Sequence, residues 1–438
     1  MAAVKPGYRA IVAASLFAAP TPLLAEDLVV QRNVTIREAP ERRSDPVDYV
    51  APGDRLDLIE GERRNGYYPV RLADGREGWV HYTFVRRVAD EDEIVAAPGA
   101  PAPGTYRIHS IDVGTGLAIF VEGADFTLLY DAGSNDDTAR EGRNRVTAYL
   151  RAVRPELRRI DHLILSHPHK DHSELMPDVV EAYEVLHVWD SGSVNPICSY
   201  RALLEDVAAE SGATYHHATG RPGPHRASFA AKTCYGRPLP EALVSIARAE
   251  PIAIGQSFRI GEGAGLTVLH ANGNLTSQYN EASVVVRLDL GQRRILLPGD
   301  AEAGGRKPPT DPPKPSSPEG ELIACCAGAL RADILVAGHH GSKTSSRTAF
   351  LDAIGASHYI VSAGPTRYAT VTLPDREVVE QLARRGTVWR TDLDDEACKA
   401  SGAKIGPDND NKPGGCDNVR ILLDSAGTIT ADYFRPTD

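Results

Sequence analysis

Leu165-Ser166-His167-Pro168-His169-Lys170-Asp171-His172 decides the reading of this chain. The apolar run Leu163-Ile164-Leu165 reads as the end of a buried strand, and Ser166-His167-Pro168 turns the chain off that end. Three imidazoles and one carboxylate then fall within six residues. A tight loop at a strand end lets such side chains converge on a point. His167 and His169, two apart, can chelate one ion, while Asp171 and His172, held at an angle by the turn, can face a second. A cation held by nitrogen and oxygen, with a position left for water, is a hydrolytic centre. The competing reading is a solvated loop with scattered histidines. It is disfavoured because histidine is uncommon and is mostly partnered singly.

Working outward, a series of further motifs appears in order between about Tyr106 and Tyr433: Ile111-Asp112-Val113-Gly114, Leu129-Tyr130-Asp131-Ala132-Gly133, Asn280-Glu281-Ala282-Ser283, Pro298-Gly299-Asp300 and His339-His340-Gly341-Ser342-Lys343-Thr344-Ser345. With the His-x-His-x-Asp-His signature, these resemble the metallo-β-lactamase superfamily. Within it they look like the hydrolase domain of bacterial competence DNA-uptake proteins. The resemblance implies two divalent metal ions, zinc best suiting mixed His/Asp ligation, with manganese or iron as alternatives. It also implies a ligand set of His167, His169, Asp171, His172, His270, Asp300 and His339. Asp300 matches the family's bridging aspartate, and His270, before it, the third histidine. Of His339 and His340, the first off the strand is expected as ligand and His340 beside it as proton donor. Asp131 corresponds to a residue that orients a ligand histidine. Asp171 would ligate and orient the attacking water, and Lys343 could bind a phosphate or oxyanion. The likeness departs at Gly114-Thr115-Gly116-Leu117-Ala118, where the branch carries Gly-Gln-Gly-Asp-Ser, and at Leu373-Pro374, where it carries His-Pro.

The remaining composition bounds the setting. A chain of 438 residues accommodates two or three domains. A net charge of −11 without a long basic run argues against general nucleic-acid affinity but leaves room for a local basic cleft. Residues 1–25 read as a signal peptide: Lys5 and Arg9, the apolar stretch Ala10 to Ala19, and Leu23-Leu24-Ala25 before Glu26. That stretch is too short to span a membrane, so a periplasmic or secreted protein without a transmembrane segment is expected. Six cysteines fit such a compartment. Cys398 and Cys416 bracket a polar loop and are the natural pair, worth about 3 kcal/mol by loop closure. Cys198–Cys234 is a weaker expectation, and adjacent Cys325-Cys326 on a helix are often merely buried.

Residues 27–88 alternate short β-rich runs with turn signals. Through Val34-Thr35-Ile36-Arg37-Glu38-Ala39-Pro40 and Asp74-Gly75-Arg76-Glu77-Gly78-Trp79-Val80 they resemble a bacterial SH3-like barrel, which implies Trp79 in its core and a cell-wall or protein ligand. Residues 89–104 form a Pro-containing linker. From 105 to 438, strands alternate with helices and the ligand loops sit at strand ends, as in a two-sheet sandwich flanked by helices. Two insertions, Tyr215 to Arg237 and Gly304 to Pro318, break the pattern. The expected architecture is therefore an αββα metallo-β-lactamase sandwich plus a small all-β SH3-like barrel. The expected function is an exported dinuclear hydrolase in which metal-activated water attacks a phosphodiester, of nucleic acid or of a cell-wall polymer. A lactone or β-lactam amide hydrolase is the second reading. An envelope-binding protein with a vestigial metal site is the third.

Overall fold

The structure is a computed structural model, and it describes residues 27–30, 34–51, 54–59, 63–72, 74–87, 99–137, 144–210, 212–368, 370–393 and 415–434. The signal-peptide reading and most of the linker lie outside the described residues. No described helix is long and apolar enough to cross a membrane. The chain divides into two compact units near residues 80–90.

The smaller unit is a seven-stranded sheet in the order Pro46–Val50, Val34–Arg37, Glu77–His81, Tyr67–Arg71, Arg55–Leu58, Asp27–Val30, Val85–Arg87. Leu28, Ile36, Leu56, Val70 and Val80 fill its core. The period-two alternation of a strand sets which face each residue takes. In Glu77–His81 it buries Gly78 and Val80. Trp79 is thereby put on the other face, half-buried, with the Arg64 guanidinium 6.0 Å from its ring. The expectation of Trp79 in the core is corrected by that phase.

The larger unit contains two large sheets and, among the described residues, three two-stranded ones. One has nine strands, Ala249–Pro251, Thr214–His217, Glu184–Asp190, Arg159–Ile164, Thr127–Tyr130, Ile119–Glu122, Tyr106–Ser110, Val419–Leu423 and Ile429–Tyr433 in spatial order. The other has seven, Ser257–Gly261, Ala264–His270, Val285–Leu290, Arg293–Leu297, Ile334–Val336, His358–Val361 and Thr387–Arg390. Ile108, Leu128, Tyr130 and Ile164 of the first meet Val268, Val286, Ile295 and Leu297 of the second in one apolar layer. The opposite face of the first sheet packs on helices Arg145–Val153, Met176–Ala182 and Cys198–Ala209. That of the second packs on Pro318–Cys326, Thr348–Ile354 and Arg376–Ala383. Each residue's burial follows from this layering: a parallel strand covered on both faces reads as a continuous apolar run, as Leu163-Ile164-Leu165 does.

Parallel pairing positions the site. Tyr130 is in register with Ile164, and Ile164 with Trp189. In the second sheet Leu296 lies beside Leu335, and Leu335 beside Tyr359. The carboxyl ends of these strands, and the loops that leave them, gather on one edge, where ligand sites of α/β sheets form. Cys198 is bonded to Cys234, and Cys325 to Cys326, which sit at the exposed end of their helix rather than buried. Cys416 is disulfide-bonded, and its expected partner Cys398 lies outside the described residues.

Candidate metal centre

The signature loop is clamped from below. Asp131, the first residue past Tyr130, is fully buried and takes a left-handed φ of 58°. Its Oδ1 accepts from Ser166 N at 2.7 Å and its Oδ2 from Ser166 Oγ at 2.7 Å. The same Oδ2 lies 2.8 Å from His172 Nδ1. A β-carbon on Gly133 would stand 2.2 Å from His172 N, so only glycine lets the two loops approach this closely. With Nδ1 fixed, the Nε2 of His172 is turned to within 3.2 Å of Asp300 Oδ1. His167 Nε2 lies 3.7 Å from Asp300 Oδ2 and 2.9 Å from His169 Nδ1.

The second sheet supplies the opposing wall. Asp300 follows the Pro298-Gly299 turn, and its N–H donates to Ser283 Oγ at 3.2 Å. His339 and His340 lie in a 3₁₀ turn, Gly338–Gly341, both with left-handed φ (50° and 53°). That conformation costs an L-residue roughly 1–2 kcal/mol. His339 N–H to Gly299 O at 3.1 Å helps hold it. His340 Nδ1 meets Ser362 O at 2.9 Å, leaving Nε2 3.7 Å from Asp171 Oδ2 and 3.8 Å from Asp300 Oδ1.

Two groups result whose ligand atoms lie within 4.8 Å of one another: His167, His172 and Asp300, and Asp171, His172 and His340. The orphaned atoms test whether cations fit. Nε2 of His340 is buried with no hydrogen-bond partner, and that of His172 has before it only the Asp300 carboxylate, 3.2 Å away, although a buried polar atom normally has a partner of its own. Both imidazoles have their other nitrogen held by an oxygen, the arrangement that aims a ligand histidine at a metal. The field agrees. Burial works against a charge on His172, but Asp300 and Asp131 outweigh it and raise its pKa well above the usual value. Burial likewise opposes charge on Asp300, yet His172, His339 and His340 hold it well below the carboxylate range. The pocket favours positive charge at its centre, and the residues present fit divalent cations.

Comparison with known proteins identifies the domains. The metallo-β-lactamase superfamily model matches residues 111–364, more than half of the chain, and the bacterial SH3 domain model matches residues 32–86. The chain belongs to the metallo-β-lactamase superfamily. Members are generally metal-dependent hydrolases. The chain is similar to Recombination protein 2 of Haemophilus influenzae, 24% identical over 280 residues, which are 64% of this chain and 27% of that protein. It is also similar to Competence protein ComA of Neisseria gonorrhoeae, 32% identical over 116 residues, 26% of this chain and 14% of that one. Among solved structures, the metallo-β-lactamase fold protein YhfI from Bacillus subtilis is 11% identical, with a TM-score of 0.35, covering 66% of this chain and 97% of that one.

Within this metallo-β-lactamase domain four expected residues, His270, His339, Lys343 and His169, fall outside the two ligand groups. His270 stands outside both groups: a bulge between Val268 and His270 re-aims it. Its Nδ1 meets Ser283 O at 2.9 Å, and its Nε2 lies 3.9 Å from Glu321 Oε2. His339 was expected as ligand ahead of His340, but His340 joins the group. His339 instead turns Nδ1 to Thr344 Oγ1 at 2.6 Å and Glu302 Oε1 at 3.3 Å, with Nε2 3.6 Å from Asp300 Oδ2. The Lys343 ammonium pairs with Glu377 at 3.0 Å rather than being left for an oxyanion. His169 sits at the rim, its ring 5.7 Å from that of Tyr279.

Other contributors carried no sequence signal. Tyr368 donates to Asp171 Oδ2 at 2.5 Å, and Asn135 Nδ2 donates to the same oxygen at 3.2 Å. Tyr368 is 197 residues from Asp171, on a two-residue strand, so nothing in the sequence couples them. Glu302, two after Asp300, accepts from Asn280 at 2.9 Å. Here the spacing itself, Asp300-Ala301-Glu302, was the available clue.

Proposed function

We propose that the chain is an exported, dinuclear metal-dependent hydrolase of phosphodiesters. The observation that carries the reading is Asp300: its Oδ2 lies 3.7 Å from His167 Nε2 and its Oδ1 lies 3.2 Å from His172 Nε2 and 3.8 Å from His340 Nε2, so one carboxylate could serve two adjoining cations. His167 and Asp300 Oδ2 would hold one cation, with His169 and His339 flanking, and Asp171, His172, His340 and Asp300 Oδ1 the other. Divalent cations so placed supply an activated water near neutral pH and polarise the scissile group. The protein's own part is orientation. Asp131 and Ser362 O fix the tautomers of His172 and His340. Tyr368 and Asn135 hold one oxygen of Asp171, leaving the other free to align water. Glu302 and Asn280 keep His339 beside Asp300.

Relatives named for competence and recombination support a phosphodiester substrate, and the leader-like residues 1–25 support export. Metal analysis of the purified protein, with turnover of bis-p-nitrophenyl phosphate, nitrocefin and a lactone measured with and without chelator, tests the reading. Chelator-sensitive cleavage of the phosphodiester is expected. Preferential nitrocefin or lactone turnover would replace it with amide or lactone hydrolysis. Turnover of none by metal-loaded protein would leave a binding role.

A further inference from the structure

The insertion that interrupts the family pattern builds a second polar cavity beside the centre. Its volume is about 560 Å³, a size that holds a small-molecule fragment. His217, Thr219, Arg221, His225 and Arg226 line one side, and the backbone around Asn274 the other. No Asp or Glu lines it, although the chain as a whole carries a net charge of −11. Arg221 and Arg226 are exposed, and neither guanidinium has an ion-pair partner among the described residues.

His217 and His225 are buried, their ring centroids 5.1 Å apart, and Nε2 of each lacks a hydrogen-bond partner. Burial lowers the pKa of both, His225 to about 4, so the rings are neutral near pH 7. Nδ1 of His217 meets Thr219 Oγ1 at 2.9 Å and Thr219 N–H at 3.4 Å, which leaves Nε2 as the nitrogen without a partner. A buried polar atom in that state is costly unless a ligand or water supplies a partner. The walls are close-set: a β-carbon on Gly273 would stand 2.2 Å from Ser191 O and 2.5 Å from Thr219 N. The cavity is tied to the metal loop through residues 191–195. Asn195 Nδ2 donates to Pro168 O at 2.7 Å, and Tyr279, against His169, donates to Val194 O at 2.9 Å.

We infer that this cavity is a subsite for a phosphate of a polyphosphodiester chain whose neighbouring ester lies at the metal centre. The inference rests on the phosphodiesterase reading above. Two guanidiniums without ion-pair partners suit phosphate oxygens, the unpartnered His217 Nε2 can donate to one when it carries the ring hydrogen, and a subsite beside the centre would select polymers over isolated esters.

The test uses the full chain and its Arg221→Ala/Arg226→Ala variant, both positions being exposed. Chelator-treated protein is titrated with a labelled single-stranded oligodeoxynucleotide and, separately, with poly(glycerol phosphate). The variant is expected to bind at least one polymer about tenfold more weakly. For the oligonucleotide, the slope of log K against log salt should shrink by about 1.4, roughly 0.7 per lost contact. The preferred polymer identifies the source of the phosphate. Turnover of bis-p-nitrophenyl phosphate, which carries one phosphate, should be the same in both proteins. Unchanged affinity for both polymers, or wild-type protein that binds neither, overturns the subsite. Loss of polymer affinity in the variant, with no turnover by metal-loaded wild type, upholds the subsite and removes the phosphodiesterase reading.

Discussion

At the scale of single residues, the centre depends on groups that never touch a cation. Asp131 is buried, holds Ser166 by two bonds and faces His172 Nδ1. Asp131→Asn keeps the shape but loses the charge that sets the His172 tautomer. Metal affinity should fall about 10–100-fold, read by competition with a chromophoric chelator while circular dichroism stays unchanged; unaltered affinity would remove Asp131 from its orienting role. A paired comparison separates the histidines. His340→Ala should lower the bound metal by about one ion per chain, because His340 Nε2 lies buried and unpartnered beside Asp171 and Asp300. His270→Ala should leave the stoichiometry intact, because both its nitrogens face Ser283 and Glu321. Equal losses in the two variants would restore His270 as a ligand. The contrast shows what a sequence exposes. Ligands packed into six residues are legible, since local geometry must bring them together. The choice between His339 and His340 depends on left-handed turns, and that of Tyr368 on a distant hairpin, and neither leaves a periodic trace.

At the scale of elements, strands were legible wherever they were apolar throughout, and less so where they carried polar side chains. The helix Met176–Ala182 is followed after one residue by the strand Glu184–Asp190, a boundary that no Gly or Pro marks. The His-rich start of the insertion read as irregular, yet Thr214–His217 is a strand of the nine-stranded sheet. Its histidine completes a ladder across three strands. His162 stacks on His187 at 4.9 Å, His187 Nδ1 meets His216 Nε2 at 3.0 Å, and Trp189 stacks on His216 at 3.9 Å. Burial, then the neighbouring imidazoles, pushes His162 and His216 down to about 3 each. The unfolded chain therefore binds protons at these sites between pH about 6.5 and about 3, where the fold does not. Stability is full above pH about 6.5 and falls as pH drops through that window. His162→Gln should be less acid-sensitive than wild type, seen as a smaller fall in urea midpoint between pH 7 and pH 5. A parallel fall in both proteins would exclude the ladder as the cause.

At the scale of the whole molecule, the candidate ligand groups join the sheets. His167, Asp171 and His172 leave the nine-stranded sheet, while Asp300 and His340 leave the seven-stranded one. Without a cation, the buried carboxylates and imidazoles at this seam rely on one another. A cation bound only by the folded state adds about 2.7 kcal/mol when present at a hundred times its dissociation constant. For a domain of this size that corresponds to a rise in Tm of about 4 °C. Among the described residues, none of the SH3-like unit belongs to either ligand group, so its melting should be indifferent to metal. Calorimetry of the whole chain with and without chelator should accordingly show one transition that moves and one that does not. Chelator shifting both equally, or neither, would separate the ligand groups from the cohesion of the sandwich. Zinc, manganese and iron(II) can then be ranked by the same transition, since stabilisation rises with the logarithm of affinity at a fixed concentration of free metal.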